Sequence, residues 1–291
     1  MGRRRRGAAL AALLACSLLA WDAGRAEEAP ADAAAPAQPA DATQPAVAPG
    51  EAFADAALFE PEAIAALRRM VHALQGAKRL QVRVDEEYDA LQPDGETFSF
   101  GKSAEMTVRR PDRMRVVGTE RAGAQRVSSY DGSRVTVYDA AKNVFASVER
   151  SGSLDSVFDF LRDDVGMKLP LAGLFSEQLG QLLLENMTTA TYIDQDVLDG
   201  IDFDHVAFHY GDGAGIQVWV PLEGAALPRR LIMTFEDAKG RPQFRADFRE
   251  WNLSPDVSDA VFAFRPPAGA RTVPFVLPKR AAASASGEAS R

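Results

Sequence analysis

Apolar and polar residues alternate strictly in three successive runs between residues 206 and 235. Val206, Phe208 and Tyr210 share one parity, Ile216, Val218 and Val220 the next, and Leu231, Met233 and Phe235 the third. A period of two places each set on one face of a strand. The linkers at 211–215 and 221–228 are short enough to join antiparallel neighbours, so the stretch predicts a meander.

The same period recurs upstream. Leu80, Val82, Val84 and Tyr88 alternate with polar residues, as do Phe98, Phe100, Ala104, Met106 and Val108. Gln92-Pro93-Asp94-Gly95 is a turn signal between them. Met114 and Val116 continue the pattern, and further strands are expected at 126–130, around Val135 and Val137, and at 144–148. Strands resume near 189–196 and turn at Asp199-Gly200 into the meander. Phe244, Ala246 and Phe248 form the last long strand, which ends at Trp251.

The period changes to that of a helix in three places. Ile64, Leu67, Val71 and Leu74 line one face of a helix with Pro61 in its first turn and Gly76 at its end. Ser153 caps a second, with Leu154, Val157, Phe158 and Leu161 on its apolar face. Pro170 breaks the chain, Leu174 and Phe175 follow, and Ser176 opens a third helix with Leu179, Leu182 and Leu183 inward. Such amphipathic helices are expected to cover one face of the sheet, giving an α+β domain.

Composition changes the picture mainly at the ends. Arginines at 3–6, an apolar run at 8–20 and Gly24-Arg25-Ala26 have the layout of an export signal over 1–26. The run is short for a membrane span, although an uncleaved anchor is the alternative reading. Cleavage after Ala26 lowers Lys plus Arg from 33 to 28 and Asp plus Glu from 41 to 40, for a net charge of 28 − 40 = −12. So acidic a chain is a poor partner for nucleic acid or anionic lipid. The single cysteine, Cys16, lies inside the signal, which leaves no disulfide, thiolate ligand or cysteine nucleophile after cleavage. Leu13-Leu14-Ala15-Cys16 has the outline of a lipoprotein-processing site, but residues 17–21 stay largely apolar, which argues against a lipid anchor. Residues 27–54 are rich in Ala and Pro and read as a disordered linker; 55–273 read as the folded domain and 274–291 as a disordered tail.

Candidate chemistry is sparse. His72 reads as an ordinary helical side chain. His205 and His209 share a strand face but stand about 13–14 Å apart, too far to share a metal without a third element; Asp202 and Asp204 lie nearby and are read with them as outer-face residues. There is no nucleophile-elbow motif. The glycines at 211–215 lie between strands and form a turn, not a phosphate cradle. Asp163-Asp164 reads as a solvated helix end. No cofactor, metal or catalytic residue is assigned.

The order of several segments is more informative than any one of them. It runs from the first helix through Tyr130-Asp131-Gly132, Pro170-Leu171 and Gln217-Val218-Trp219-Val220 to Leu227-Pro228-Arg229-Arg230, Trp251 and residues 262–269, Phe-Ala-Phe-Arg-Pro-Pro-Ala-Gly. In this the chain resembles the bacterial periplasmic family called domain of unknown function 2092. More distantly it resembles the outer-membrane lipoprotein carriers and receptors of the LolA/LolB type. The resemblance implies an unclosed β-barrel of about eleven strands, formed by a curved antiparallel sheet. An N-terminal helix and short central helices would lid its mouth, and the barrel would suit an acyl chain. In the carriers a buried arginine holds the lid by hydrogen bonds to helical carbonyls, and the resemblance gives it no position here. The strand arginines Arg83, Arg109 and Arg115 read as outer-face residues.

The expected function is therefore periplasmic binding or carriage of an apolar ligand, either a lipid or the acyl chains of a lipoprotein. Its lining would be Val82, Val84, Phe98, Phe100, Met106, Val108, Val116, Ile216, Val218, Leu231 and Met233. Its lid would comprise Leu154, Val157, Phe158, Leu161, Leu174 and Phe175. The same stripe also reads simply as packed core. The alternative function is an envelope protein-interaction module presenting a sheet edge or an outer face with Trp219 and Trp251. A hydrolase ranks below both.

Overall fold

A computed structural model describes residues 58–277 except Asn186. The expected export signal, the expected linker and most of the expected C-terminal tail lie outside the described residues. Helix α1 (Pro61–Gly76) is followed by six strands: β1 (Arg79–Leu91), β2 (Thr97–Arg109), β3 (Arg113–Glu120), β4 (Gln125–Tyr130), β5 (Arg134–Asp139) and β6 (Val144–Glu149). Three short helices intervene: α2 (Leu154–Asp163), α3 (Ala172–Phe175) and α4 (Leu179–Leu184). A second meander then runs through β7 (Met187–Leu198), β8 (Ile201–Tyr210), β9 (Ala214–Pro221), β10 (Arg230–Phe235) and β11 (Gln243–Asn252). The described chain closes with α5 (Asp259–Phe262) and β12 (Arg271–Thr272).

All these strands belong to one 12-stranded sheet in the order β12-β6-β5-β4-β3-β2-β1-β11-β10-β9-β8-β7. Each meander pairs in chain order, and β11 returns antiparallel to β1, so the halves join at the centre and the sheet stays open. The expected eleven strands are β1 to β11. The twelfth, Arg271–Thr272, pairs in parallel with β6 and is too short for a periodic signal. At the β7–β8 tip Asp199 and Gly200 both have positive φ (55° and 76°), as a two-residue hairpin turn requires.

Helix α1 begins with Pro at its first position and buries Ala63, Ala66, Leu67, Met70 and Leu74, lying against β7, β8 and β9. In α2 the Ser153 hydroxyl accepts from the Ser156 N–H at 3.3 Å, as its capping position predicts. The third helix differs from expectation. Ser176 accepts from the Gln178 N–H at 2.9 Å in a linking turn, and α4 starts only at Leu179. Leu179 and Leu183 face inward, but Leu182 is 42% exposed. On so short a helix the i and i+4 positions fill the contact, and i+3 swings outward.

The core lies between this helical layer and one face of the sheet. Phe275 and Leu277, which fall beyond the expected domain end, pack partly buried against it.

Candidate functional site

Cross-strand register settles which side chains share the helix-facing surface. Val82 pairs with Met106, Met106 with Val116, Val84 with Phe248, and Leu231 with Val218. Val82, Val84, Val108 and Val218 are wholly buried, and Met106, Val116, Ile216 and Leu231 nearly so. Met233 is half-buried. Phe98 and Phe100 share the parity but are 50% and 47% exposed. They sit on the end of β2 distant from its turn to β3, outside the cover of the helices, so the stripe divides into a sealed part and an open end.

The seal over β2–β5 is made by α2, α3 and the chain between them. Leu154, Val157, Phe158, Leu161, Leu174 and Phe175 are all buried. Two small apolar cavities remain beneath them. One of about 60 Å³ is bordered by Met106, Met114, Val116, Phe158, Leu169 and Phe175, among others. The other, about 80 Å³, includes Met114, Val116, Val135, Leu154, Phe158 and Leu169. Four side chains, Met114, Val116, Phe158 and Leu169, therefore line both. Pockets for small ligands commonly hold roughly 300–1,000 Å³. The space in this structure is a fraction of that, and a long chain could enter only if the covering helices moved.

One residue ties that cover to the rest. Arg110 donates from Nε to the Phe175 carbonyl at 3.3 Å and from Nη1 to the Leu74 carbonyl at 3.0 Å. Nη1 also donates to the Ala77 carbonyl. These oxygens lie at the C-terminal ends of α1 and α3, where helices leave carbonyls without intrahelical partners and favour a cation. Arg110 Nη2 is buried without a hydrogen-bond partner among the described residues. Burial pulls the guanidinium pKa below the ordinary arginine value, against the opposing effect of Glu177 and Asp155. Arg110 thus joins the ends of α1 and α3 through carbonyls that the helices leave free. Arg109 instead pairs with Asp259, and Arg83 with Glu250 at 2.9 Å. The signal was parity: Arg109 falls out of phase with Val108, and Arg110 in phase.

Two charged groups also face the helices. Glu86 and Lys102 are cross-strand partners, and their charged ends lie 3.2 Å apart beside the smaller cavity. Asp204 corrects its outer-face reading. It is buried, accepting from Arg69 Nη2 of α1 at 2.6 Å and from the Tyr192 hydroxyl at 2.7 Å. It shares the parity of Val206 and Phe208, and its charge is met from the helix above.

The opposite face is polar and carries a groove of about 720 Å³, bordered by Asp85, Ser103, Thr119, Arg230, Arg245 and Asp247, among others. Several charges there are paired, for example Arg230 with Asp247 at 2.9 Å. His205 stacks on Trp219 with ring centres 4.0 Å apart, and its nitrogens meet Asp194 at 3.2 Å and Gln217 at 3.1 Å. His209 is engaged separately, with Thr189 Oγ1 at 3.0 Å. Trp219 is only 6% exposed beneath His205 and Arg230, and the Trp251 indole donates to the Pro228 carbonyl at 3.0 Å. Neither indole projects as an exposed contact surface. Among the described residues, no group of three or more His, Cys, Asp or Glu converges on a possible metal position, and no helix is long and apolar enough to cross a membrane.

The family model described as "Predicted periplasmic protein (DUF2092)" matches residues 63–276, well over half of the chain. The chain belongs to this family. Among solved structures it is similar to the lipoprotein LppX of Mycobacterium tuberculosis, with 17% identity over 68% of this chain and 100% of that one, at a TM-score of 0.43. A LolA superfamily protein of Nitrosomonas europaea matches with 15% identity over 69% of this chain and 97% of its own, at a TM-score of 0.34. The MucA/MucB complex of Pseudomonas aeruginosa matches with 12% identity over 70% and 61%, at a TM-score of 0.35. No curated protein matches the sequence.

Proposed function

We propose that this DUF2092 protein binds an apolar chain on the helix-facing surface of its open sheet, with α2 and α3 as a movable cover. The observation that carries this reading is the pair of adjoining apolar cavities under a cover that Arg110, together with the Gln75 amide donating to the Glu177 carbonyl at 2.7 Å, secures to α1. Moving the cover exposes Met114, Val116, Phe158 and Leu169 together. Re-covering that surface with an acyl chain returns roughly 25 cal/mol per Å² of apolar area. Met106 and Met114 supply adaptable walls. Within the periplasmic family, such a protein would carry or sense a lipid or the acyl part of a lipoprotein.

The test is lipid extraction of protein purified from the periplasm, together with titration by a fluorescent fatty acid. Co-purified lipid and saturable uptake support the reading. Ligand-free protein that takes up no probe contradicts it.

A second reading is favoured by the small volume of the cavities: a filled barrel that docks an envelope protein at its β7 edge. That edge receives residues 58–60 near Ala190 and then presents Ile193 and Val197, which are 47% and 60% exposed. A protein that co-purifies with lipid-free chain and is released by Val197→Asp would favour this alternative.

A further inference from the structure

The apolar series on the helix-facing side is broken once in β1 and once in β2. In β1, Leu80, Val82 and Val84 are followed by Glu86; in β2, Val108, Met106 and Ala104 lead to Lys102. The two breaks fall opposite each other in register. Their charged ends meet at 3.2 Å, with side chains only 5% and 16% exposed. Of the residues lining the two apolar cavities, Glu86 and Lys102 are the charged ones. Two residues farther along each strand, on the same face, Tyr88 stacks on Phe100 with ring centres 5.7 Å apart, and the exposed Phe98 lies beyond. The surface thus passes from a sealed apolar part, across one charged pair, to an open aromatic end.

A buried ion pair contributes little net stability, because desolvation offsets most of its Coulomb attraction, and well-packed apolar residues often serve as well. In a cavity wall the pair has another use: it presents a cationic donor and an anionic acceptor at the edge of apolar space, as orienting groups do in ligand pockets. A lone lysine would favour an anionic head and a lone glutamate a cationic one. Side by side they match a head that carries both charges. An anion on Lys102 alone would leave Glu86 unpaired, with Glu120, the cross-strand partner of Lys102, adding a second carboxylate nearby.

We infer that Glu86 and Lys102 form a headgroup site, and that the ligand is a zwitterionic amphiphile. Its anionic group meets Lys102 Nζ, its cationic group meets the Glu86 carboxylate, and its tail lies beneath α2. The inference rests on uptake of an apolar chain under the cover. Tyr88, Phe98 and Phe100 then form the open end through which the amphiphile arrives.

The experiment compares three single-chain probes of equal length: lysophosphatidylethanolamine, a fatty acid anion and a neutral monoacylglycerol. Each is titrated into wild-type protein and into the Glu86→Gln/Lys102→Met double variant, which removes both charges and leaves neither unpaired. A neutral hydrocarbon fluorophore serves as the control. Wild-type protein is expected to bind the zwitterion about tenfold more tightly than the other two probes. The double variant is expected to lose that preference while still taking up the fluorophore. Equal affinity of wild-type protein for all three heads, or an unchanged preference in the double variant, would overturn the inference. Failure of every probe, the fluorophore included, would overturn the apolar-ligand reading itself.

Discussion

Arg110 reaches across 65 residues of chain to donate from Nε to the Phe175 carbonyl at 3.3 Å. The same guanidinium donates to Leu74 and Ala77 at the end of α1. The short α3 is therefore held to the sheet by side-chain packing and by a cation shared with the longer helix.

Removing that cation should loosen the cover before it unfolds the domain. Arg110→Leu strands the carbonyls of Phe175, Leu74 and Ala77, and is expected to cost about 2 kcal/mol. For a domain of this size that corresponds to a fall in Tm of roughly 4–8 °C. Hydrogen exchange should rise first over 172–184 and the end of α1, and acyl-probe uptake should become faster. Exchange that rises uniformly over β1–β11 would show that Arg110 supports the whole fold instead of the cover.

The Glu86–Lys102 pair predicts a non-additive stability pattern. Lys102→Met alone leaves the Glu86 carboxylate buried without its partner, which should cost about 3 kcal/mol. The double variant with Glu86→Gln should recover at least half of that loss. Thermal or urea unfolding of Lys102→Met, Glu86→Gln and the double variant checks it; losses that simply add would mean the two groups do not interact.

Acid stability should depend on Asp89. Burial alone would raise the Asp89 pKa, but the Ser99 hydroxyl, the Gln243 N–H and Arg245 together hold it below the usual carboxylate value. A carboxyl depressed in the folded state contributes stability that is fully present above its unfolded pKa of about 3.9. That contribution is lost as the pH falls through the folded value. Asp89→Ala should cost about 2 kcal/mol at pH 7, and the loss should shrink on acidification below that window. Denaturant titrations of both proteins at neutral and acidic pH read the difference.

Tyr210 gives the opposite pH sign. Burial, helped by Asp212, pushes its phenol up to about 12, and its hydroxyl donates to the Leu183 carbonyl at 3.1 Å. Its contribution is present below the unfolded pKa of about 10 and is lost as the pH rises through about 12. Tyr210→Phe is expected to cost about 1 kcal/mol at neutral pH and to increase exchange at the end of α4. An unchanged exchange pattern would mean the bond does not hold that helix end.

Period-two alternation carried most of the fold. It located the strands around Val82, Met106, Val218 and Leu231, because one face is uniformly apolar and the turns between them are short. What it missed lay where chemistry departs from the pattern. Glu86 and Lys102 occupy apolar-phase positions, so they register only as gaps in a hydrophobic series, and their mutual contact depends on register. Arg110 sits beside Pro111 at a strand end and reads as turn, although its parity with Val108 points it toward the helices. Phe98 and Phe100 have the parity of lining residues, but alternation says nothing about how far a cover extends. Asp204 has the parity of Val206, yet a carboxylate suits that face only because Arg69 comes down from α1, a contact 135 residues distant in sequence.

Entry of an acyl chain beneath α2 is the step on which the proposed function turns. The most direct measurement is photo-crosslinking with a fatty acid that carries a diazirine at its tail end, followed by peptide mapping. Adducts are expected on β3 and α2, centred on Met114, Val116 and Phe158, with Leu169 also marked. Adducts confined to the polar face around Arg230 and Asp247, or none at saturating probe, would contradict it.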